Sequence, residues 1–468
     1  MSNSTFKSWY QSGSPWVWLN AGAVSISLIA VIGLVLLIAV RGLSHFWPAD
    51  IMSVEYNEPG LEPTVLIGER VDHEVVPAER VPSDYQLKEG QISVERYLLK
   101  IGNRDQFGLD FRWINKDWMG EVSYPEDILS IERREWGHFY GYLLSVQQQG
   151  ETVADGEQAW PEFQQRLDRS NNLVAEIKYI EKIEIGKINQ ALESLRLDER
   201  RLELDNVPED NAAYAEIEAA RAVQNEKYAK LQIRLSELSQ ALIRDQVVMQ
   251  MSNGDEVVIP MAKIVDVVKP NDMNRFEKLQ HYFHEVWKFI SGEPREANTE
   301  GGIFPAIFGT VMMVLIMSVI VTPFGVIAAI YLKEYAKQGV ITRTIRIAVN
   351  NLAGVPSIVY GVFGLGFFVY FLGGNIDEIF FQAKLPSPTF GQPGLMWASL
   401  TLAILTVPVV IVATEEGLSR IPRAMREGSL ALGATKAETL WRTVIPMAAP
   451  AMMTGLILAV ARAAGEVA

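Results

Sequence analysis

The chain of 468 residues contains no cysteine. This absence excludes disulfide bonds, thiolate metal sites and cysteine nucleophiles, and it is compatible with either side of a membrane. The nucleotide-binding pattern G-x-x-x-x-G-K-[ST] is also absent, as are G-x-S-x-G and H-E-x-x-H. The sequence therefore predicts a protein that is not an enzyme and has no ATPase site of its own, so that any energy it uses must come from a partner.

The whole chain has a net charge of −14, and its acidic residues are concentrated in the middle. Residues 42–302 contain 29 Lys and Arg against 48 Asp and Glu, while the remaining residues contain 13 against 8. An acidic stretch this long predicts a domain outside the membrane, and it argues against nucleic-acid binding, which needs a basic face. His281 and His284 stand three apart with no third ligand evident in the sequence, so we expect no metal and no cofactor.

Long uncharged apolar stretches flank this acidic region. The first, Asn20–Val40, has about 20 residues, enough to cross a bilayer. A cleaved signal peptide is the alternative, but the bulky stretch Arg41–Pro48 offers no small-residue cleavage site. We therefore predict a cytoplasmic tail at 1–18 and an uncleaved transmembrane helix at 19–40. Four further apolar stretches follow at 301–332, which prolines are expected to kink or break, and at 347–375, 395–413 and 444–461.

The loops between these stretches give an orientation. Lys and Arg number four in 333–346, one in 376–394 and five in 415–442. Because basic loops stay in the cytoplasm, the first and third of these are predicted to be cytoplasmic. Residues 41–302 are then periplasmic, and the protein is a multi-pass membrane protein.

The predicted secondary structure of the insert at 41–302 changes along its length. Short runs rich in β-branched residues, separated by Gly, Pro, Asp and Asn, predict a β-rich structure at 50–160 and again at 247–268. Between them, 161–246 contains two charged helical patterns of near-heptad spacing around a proline-containing tip, which predict an antiparallel coiled-coil hairpin. The amphipathic stretch 273–291 predicts a helix that lies at the membrane surface or is an ordinary core helix. The individual strands expected are Thr64–Ile67, Glu74–Val76, Ile92–Ile101 and Glu121–Tyr124, with a hairpin made of Val247–Met251 and Glu256–Pro260.

The polar segment Glu415–Pro446 separates the last two apolar stretches. It predicts a short helix interrupted by glycine, whose small residues would let another surface approach closely. It resembles the EAA loop of ABC importer permeases, since Glu427, Gly433 and Pro446 hold the spacing of that motif. Gly428 and Ser429 stand where that motif has alanines. A docking helix of this kind receives movement from a soluble motor.

Several short sequence motifs, in a fixed order around this segment, narrow the resemblance to the phosphate-importer permeases of the PstA type, within the MetI-like family. The resemblance covers residues 301–468. It implies an α-helical integral membrane permease core at 303–468 with a cytoplasmic docking loop at 415–446, joined to a periplasmic mixed α/β insert. The matching motifs are GVPSIVYGVFGLG (354–366), ATEEGLSRIP (413–422), REGSLALGATKAET (426–439) and ARAAGEVA (461–468).

The same resemblance implies partners and a path for the substrate. The partners are cytoplasmic ABC ATPase subunits, a sister permease, a periplasmic phosphate-binding protein and the lipid bilayer. Arg462 and Glu466 match the family signature ALAR-x-x-GE and lie four residues apart on one helix face. A guanidinium suits an oxyanion, so both are candidate substrate-path residues. The alternatives are a self-neutralising structural pair, or an arginine near the end of the span that reaches for lipid headgroups.

Gly354, Pro356 and Ser357 interrupt an apolar stretch, and backbone opened in a span is tolerated where it is buried or lines a cavity. They are candidates for a gate, or for a packing kink. Relatives continue beyond the position of Ala468, so we expect the given chain to be a truncated form. Two other functions remain open from the sequence: a permease for another oxyanion such as phosphonate or sulfate, and a sensor or adaptor that acts through the coiled coil.

Overall fold

A computed structural model describes residues 9–10, 12–80, 92–295 and 300–467. Half of the expected tail at 1–18 falls outside these residues, as do 81–91 and 296–299 of the expected insert. The chain divides into two compact units, one formed by Met1–Ile185 with Ala229–Ile303 and the other by Gly186–Tyr228 with Phe304–Ala468.

The first unit begins with helix α1 (Ser14–Ser44), which is longer than the expected span. None of its residues is buried, although its side chains are almost all apolar. It is one of five helices in the described chain that are long and apolar enough to cross a membrane. An apolar helix without a protein partner is typical of a lipid-facing span, because only the bilayer can then cover it.

Two antiparallel sheets form the body of the first unit. The first sheet has the strand order β4-β3-β2-β1-β5, and the second has the order β10-β9-β7-β6-β11 with β8 paired to β7. A two-stranded ribbon, β12 with β13, lies near the end of the unit. The strands are β1 (Ile51–Tyr56), β2 (Thr64–Pro77), β3 (Ser93–Lys100), β4 (Phe111–Asn115), β5 (Met119–Ser123), β6 (Ile128–Arg133), β7 (His138–Gln148), β8 (Glu151–Asp155), β9 (Asp245–Gln250), β10 (Glu256–Pro260), β11 (Ile264–Val268), β12 (Pro294–Arg295) and β13 (Glu300–Gly301), and the short helix α2 (Arg104–Phe107) follows β3.

One strand prediction is wrong. The two strands expected at Thr64–Ile67 and Glu74–Val76 are parts of the single strand β2. Gly68 suggested a break, but it has a packing reason, because a Cβ atom there would lie 2.3 Å from the carbonyl oxygen of Lys100 on β3. Glycine inside a strand marks this kind of close backbone approach.

The core of the second sheet is closed by helix α3 (Ala159–Tyr179), whose Ala159, Phe163 and Leu167 are buried among strand residues. Where α3 meets β9, Asp245 is only 2 % exposed and accepts bonds from three arginines. Burial alone would raise the pKa of Asp245, but the hydrogen bonds from Arg244 and Arg166 hold it below its usual value. The carboxylate therefore stays ionised inside the fold.

Two long helices project between β8 and β9. A π-helical stretch at Ile180–Glu184 continues α3 into α4 (Ile185–Leu204), and α5 (Ala212–Leu242) returns. Arg234 pairs with Glu176 at 2.8 Å, and Arg221 pairs with Glu199. These pairings fit two helices running in opposite directions. A continuous knobs-into-holes seam is not established by them, so the coiled coil stays a prediction.

The two ends of the insert meet at one side chain. The amide of Asn271 accepts a bond from the Ile51 nitrogen and donates one to the Ile51 oxygen, both 2.8 Å long, and it donates a third to the Pro125 oxygen. Helix α6 (Arg275–Ser291) follows, and its N-terminus is closed by a capping box of Asn274 with Glu277. β1 and α6 are thereby held together although they are more than 200 residues apart in the sequence.

Residues 304–467 of the second unit, which correspond to the permease core expected from the sequence and are called the permease part below, are helical. It comprises α7 (Phe304–Ile330), α8 (Val340–Leu352), α9 (Ser357–Phe363), α10 (Gly374–Phe380), α11 (Leu395–Arg420), α12 (Arg423–Ala431), α13 (Lys436–Thr439) and α14 (Ile445–Val467). π-helical stretches extend α7 to Tyr335, join α9 to α10 and join α13 to α14. The four membrane-length helices here are Phe304–Tyr335, Ser357–Phe380, Leu395–Arg420 and Lys436–Val467.

Helices α7, α11 and α14 pack through small side chains. A Cβ atom on Gly455 would lie 2.6 Å from the Cβ of Ala413, and one on Gly417 would lie 2.5 Å from the Cβ of Ala451. Ala459 is fully buried in the same cluster. Small residues let helix backbones approach closely where lipid supplies no hydrophobic driving force.

Of the kink or break expected in the stretch 301–332, the break does not occur: α7 runs through Pro323 to Ile330, and the helix continues in π-helical form. The interruption expected near the start of the stretch 347–375 is present, because α8 ends at Leu352 and the next helix starts at Ser357. Pro356 explains this boundary, since it restricts Val355 to an extended conformation and lacks the N–H that a continuing helix needs.

Candidate anion path and docking segment

The docking segment consists of α12 and α13 with the turns around them. Helix α11 ends at Arg420, and Pro422 starts α12 in a new direction. Gly433 ends that helix with a φ of +87°, a left-handed conformation that favours glycine. Thr435 and Glu438 then form a capping box that starts α13. The segment is thus two short helices joined by a tight turn, and its chain direction is set by local chemistry.

A cluster of ionic contacts ties this segment to the end of α7. Arg426 donates to the carbonyl oxygen of Leu418 over 2.7 Å and lies 3.0 Å from the Glu334 carboxylate. Lys436 donates to the Glu334 carbonyl oxygen and lies 4.5 Å from the centre of the Tyr335 ring. We call these groups the Glu334 clamp. The basic residues that the sequence assigned to membrane orientation therefore also fix the segment in place.

A second contact ties α8 to α11. The Arg346 guanidinium lies 3.2 Å from the Glu415 carboxylate and donates to the carbonyl oxygen of Leu332 over 3.1 Å. It also donates to the Gln338 side chain. Neither Glu334 nor Arg346 was among the predicted site residues. The available signal was an acidic residue beside each basic loop, but sequence alone does not say which charges meet.

The outer side of the segment is exposed. Glu427 and Gly428 are exposed, and a Cβ atom on Gly428 would meet nothing within 4 Å. Leu432 is 91 % exposed, and large apolar side chains lie close to it in sequence. Ser429 is half-buried, and its hydroxyl lies 2.9 Å from that of Thr439. The exposed apolar side chains of the segment are Met425, Leu430, Leu432 and Trp441, and Pro446 is exposed at the start of α14.

The candidate path residue Arg462 lies on α14 and meets the chain break before α9. Its guanidinium nitrogens lie 3.4 and 3.5 Å from the Ala353 carbonyl oxygen, which are long hydrogen bonds. Within the described residues Arg462 forms no salt bridge, and Glu466 is exposed rather than paired with it. Among the described residues, Arg462 and Glu466 do not form the structural pair that the sequence left open, and the guanidinium bonds to the Ala353 oxygen instead.

The break itself contains the three gate candidates. Gly354 donates to the Asn351 carbonyl oxygen over 3.0 Å, Pro356 has extended backbone, and Ser357 is the first residue of α9. All three are exposed in this chain. The Tyr360 hydroxyl donates to the Leu352 carbonyl oxygen over 2.8 Å and fixes α9 to the end of α8. The structure thus brings Arg462 and the break together, two features that the sequence identified separately.

An open cleft of about 320 Å³ lies where α11 meets α14. Arg420 and Thr454 supply its polar groups, and Arg462 is not among its lining residues. The cleft is therefore separate from the candidate path residues.

The histidines of α6 have neighbours that the sequence did not reveal. One oxygen or nitrogen atom each of Asp266, His281 and Glu285 lie within 4.8 Å of one another. The expectation that no third ligand is near is therefore wrong for His281. Lys288, however, lies 3.0 Å from Glu285 and 4.0 Å from Asp266, and its ammonium already compensates the carboxylates. We assign no metal to this cluster.

The sequence of the permease part matches a known family. Residues 321–468 match the model of the "Binding-protein-dependent transport system inner membrane component" family. The chain is 35 % identical over 168 residues to the "Phosphate transport system permease protein PstA 1" of Mycobacterium tuberculosis (strain CDC 1551 / Oshkosh), covering 36 % of this chain and 49 % of that protein.

A second relative is the "Phosphate transport system permease protein PstA" of Mycobacterium leprae (strain TN), with 34 % identity over 211 residues, 45 % of this chain and 62 % of that protein. The chain thus spans about half the length of the curated relatives it matches. Among solved structures, a chain of the inward-facing MetNI methionine ABC transporter matches with a TM-score of 0.28 and 19 % identity, covering 39 % of this chain and 73 % of that one. Residues 321–468 thus match the model of the binding-protein-dependent transport system inner membrane components, and the chain is similar to proteins that carry the name PstA.

Proposed function

We propose that this chain is the transmembrane permease subunit of an ATP-driven phosphate importer. It would pass inorganic phosphate from a periplasmic binding protein across the inner membrane, together with a sister permease and cytoplasmic ATPase subunits. The observation that carries the proposal is the similarity of the chain, over 168 and 211 residues, to two proteins named as phosphate transport permeases. In this proposal the N-terminus is cytoplasmic and the insert is periplasmic, as the basic loops favour.

The docking segment supports a role in receiving movement. Its exposed apolar side chains offer a surface for a partner, while the Glu334 clamp joins its inner side to α7. Arg346 joins α8 to α11 through Glu415. A displacement of α12 by the ATPases would therefore be passed to three helices at once, because charged contacts at the helix ends resist separation. This is the physical basis proposed for alternating access.

Arg462 supports a role in anion passage. A half-buried guanidinium that gives only long bonds to one carbonyl oxygen keeps donors for an oxyanion, whose geometry matches its planar fork. The adjacent break at Gly354 and Pro356 exposes backbone groups beside it, and such groups in a membrane protein line cavities. We therefore assign the path to Arg462, with Glu466 adjusting the local charge, and the gate to Gly354, Pro356 and Ser357.

The test is uptake of radiolabelled phosphate at low concentration, in cells whose only high-affinity system contains the full-length form of this chain. Arg462→Gln should abolish saturable uptake, whereas Arg343→Gln, an exposed arginine of α8, should leave it unchanged. Glu427→Lys should abolish uptake at the docking surface, whereas Glu378→Lys, at an exposed glutamate of α10 outside residues 415–446, should retain it. Membrane levels of each variant serve as the folding control.

The outcomes separate the remaining functions. Full competition by unlabelled sulfate or phosphonate would replace phosphate by another oxyanion. Absence of uptake in the parent chain would remove the transport assignment and favour a sensor or adaptor. Deletion of 186–228, the outer parts of the two projecting helices, that leaves uptake intact would assign these helices to partner binding rather than to transport.

A further inference from the structure

Helix α6 presents its apolar side to solvent and its polar side to the protein. Five large apolar side chains recur at intervals of three and four residues and form one stripe, and they are between 43 % and 74 % exposed. A helix packed on a soluble domain has the opposite arrangement, with its apolar stripe buried. The stripe consists of Phe276, Leu279, Phe283, Trp287 and Ile290.

The opposite side of α6 holds it to the β domain. Lys288 pairs with Glu132 of β6, and Lys278 pairs with Asp50. Because both cations are engaged on this side, the helix is fixed with its apolar stripe facing outward. The exposure is therefore a built-in orientation and not a loose packing of α6.

The position of α6 in the chain indicates what covers the stripe. Phe46, two residues after the end of α1, contacts Phe289 with ring centroids 5.1 Å apart, and Trp47 lies 6.1 Å from Tyr282. At the other end, the Ile303 nitrogen donates to the Phe289 oxygen over 2.9 Å, and α7 begins at the next residue. The residues that meet α6 are thus those immediately outside two membrane-length helices.

We propose that α6 lies in the plane of the membrane surface, with its apolar stripe inserted at the boundary between lipid headgroups and acyl chains. Phenylalanine, leucine and tryptophan on one face of an amphipathic helix are the side chains that favour this boundary. The helix anchors the β domain to the bilayer. The proposal requires that α1 crosses the membrane, and it holds whatever the transported substrate is.

The absence of cysteine makes the test direct. Single variants Phe283→Cys and Trp287→Cys carry a nitroxide spin label on the stripe, and Val258→Cys, on an exposed residue of β10, is the matched control. The full chain is reconstituted into vesicles of zwitterionic and anionic phospholipid. Collision with oxygen, which enters lipid, is compared with collision with a water-soluble nickel chelate.

Labels at positions 283 and 287 should show a ratio of oxygen to nickel collisions several-fold higher than the label at position 258. A ratio equal to that at position 258 would mean that the stripe faces water and would overturn the proposal. Low collision with both agents would mean that protein covers the stripe, whether a partner subunit or a second copy, and would also overturn it. Two controls exclude misfolding as the cause. Each variant should give a near-native circular dichroism spectrum, and the label at position 258 should keep its mobility in a Val258→Cys/Phe283→Ser double variant.

Discussion

The β domain and the permease helices use the same residue types in opposite places. In the β domain, Phe139 and Phe163 are fully buried, and charges such as Asp245 are held in networks. In the permease part, Phe324 and Phe371 are exposed, and glycine and alanine make the closest contacts between α11 and α14. The difference follows from the solvent, because water drives large apolar side chains inward and lipid does not.

The comparison predicts that a buried charge partner matters most in the β domain. Asp245→Ala leaves Arg166, Arg169 and Arg244 around an uncompensated site, and removing one partner of a buried ionic network costs about 3–5 kcal/mol. Hydrogen exchange measured by mass spectrometry should therefore show amides of β7 and β9 exchanging about 100-fold faster or more. Asp168→Ala, at an exposed position of α3, is the control, and equal exchange in the two variants would contradict the structural role of Asp245.

In the permease part, the corresponding sensitive positions are glycines. Gly455→Leu places atoms against Ala413, and over-packing of this kind costs about 1–3 kcal/mol. Gly309→Leu adds the same side chain on α7 where nothing lies within 4 Å of the added Cβ. We expect the thermal midpoint in detergent to fall for the first variant and to stay within error for the second. A similar loss in both would show that side-chain size alone, and not helix contact, limits this region.

A smaller effect is the pH dependence of the stability of the β domain, to which His138 contributes. Burial and the nearby Lys100 ammonium, whose Nζ lies 3.0 Å from Nδ1, lower the pKa of His138 from 6.5 to about 3. The folded chain therefore keeps this ring neutral while the unfolded chain protonates it below pH 6.5. The stability contributed by the neutral ring is fully present above pH 6.5 and falls by about 1.4 kcal/mol per pH unit as the pH decreases towards 3.

The measurement is the midpoint of urea unfolding of the detergent-solubilised chain between pH 7 and 5, with His138→Gln as the comparison. The parent chain should lose stability across this range in the β domain, and the variant should lose less. If the two curves run parallel, His138 does not control the acid sensitivity of this domain. Asp245 affects stability only at more acid pH. Its pKa is lower in the folded chain than in the unfolded chain, so its stabilisation is fully present above the unfolded pKa and is lost as the pH falls through the folded pKa.

Features governed by local chemistry were predictable from the sequence. The hairpin of β9 and β10 forms around Gly254, whose φ of +86° needs glycine, with Met251 donating to Asp255. The amphipathic helix α6 starts at Asn274, a strong capping residue. The resemblance of the last third of the chain to PstA-type permeases is confirmed for residues 321–468.

Features that depend on distant residues were not predictable. Glu334 and Arg426 are 92 residues apart, and no sequence period links them, so the clamp had to be found in the structure. The close approach of the Lys100 backbone explains the glycine at position 68 inside the continuous strand β2. In the sequence alone, the same glycine among charged residues indicates a break between two strands. The packing alternative for α6 required knowledge of what lies opposite each face, and a helical period gives only the faces.

The Asn271 contacts have a consequence for how such a chain can change over evolutionary time. Because one amide joins β1 to the residues that precede α6, the β domain begins and ends at the same place. A domain with adjacent ends can be gained, lost or exchanged as a cassette, since the chain on either side need bridge only a short gap and the entropy of closing that gap is small. The insert is therefore modular, because its two ends already meet at the side chain of Asn271.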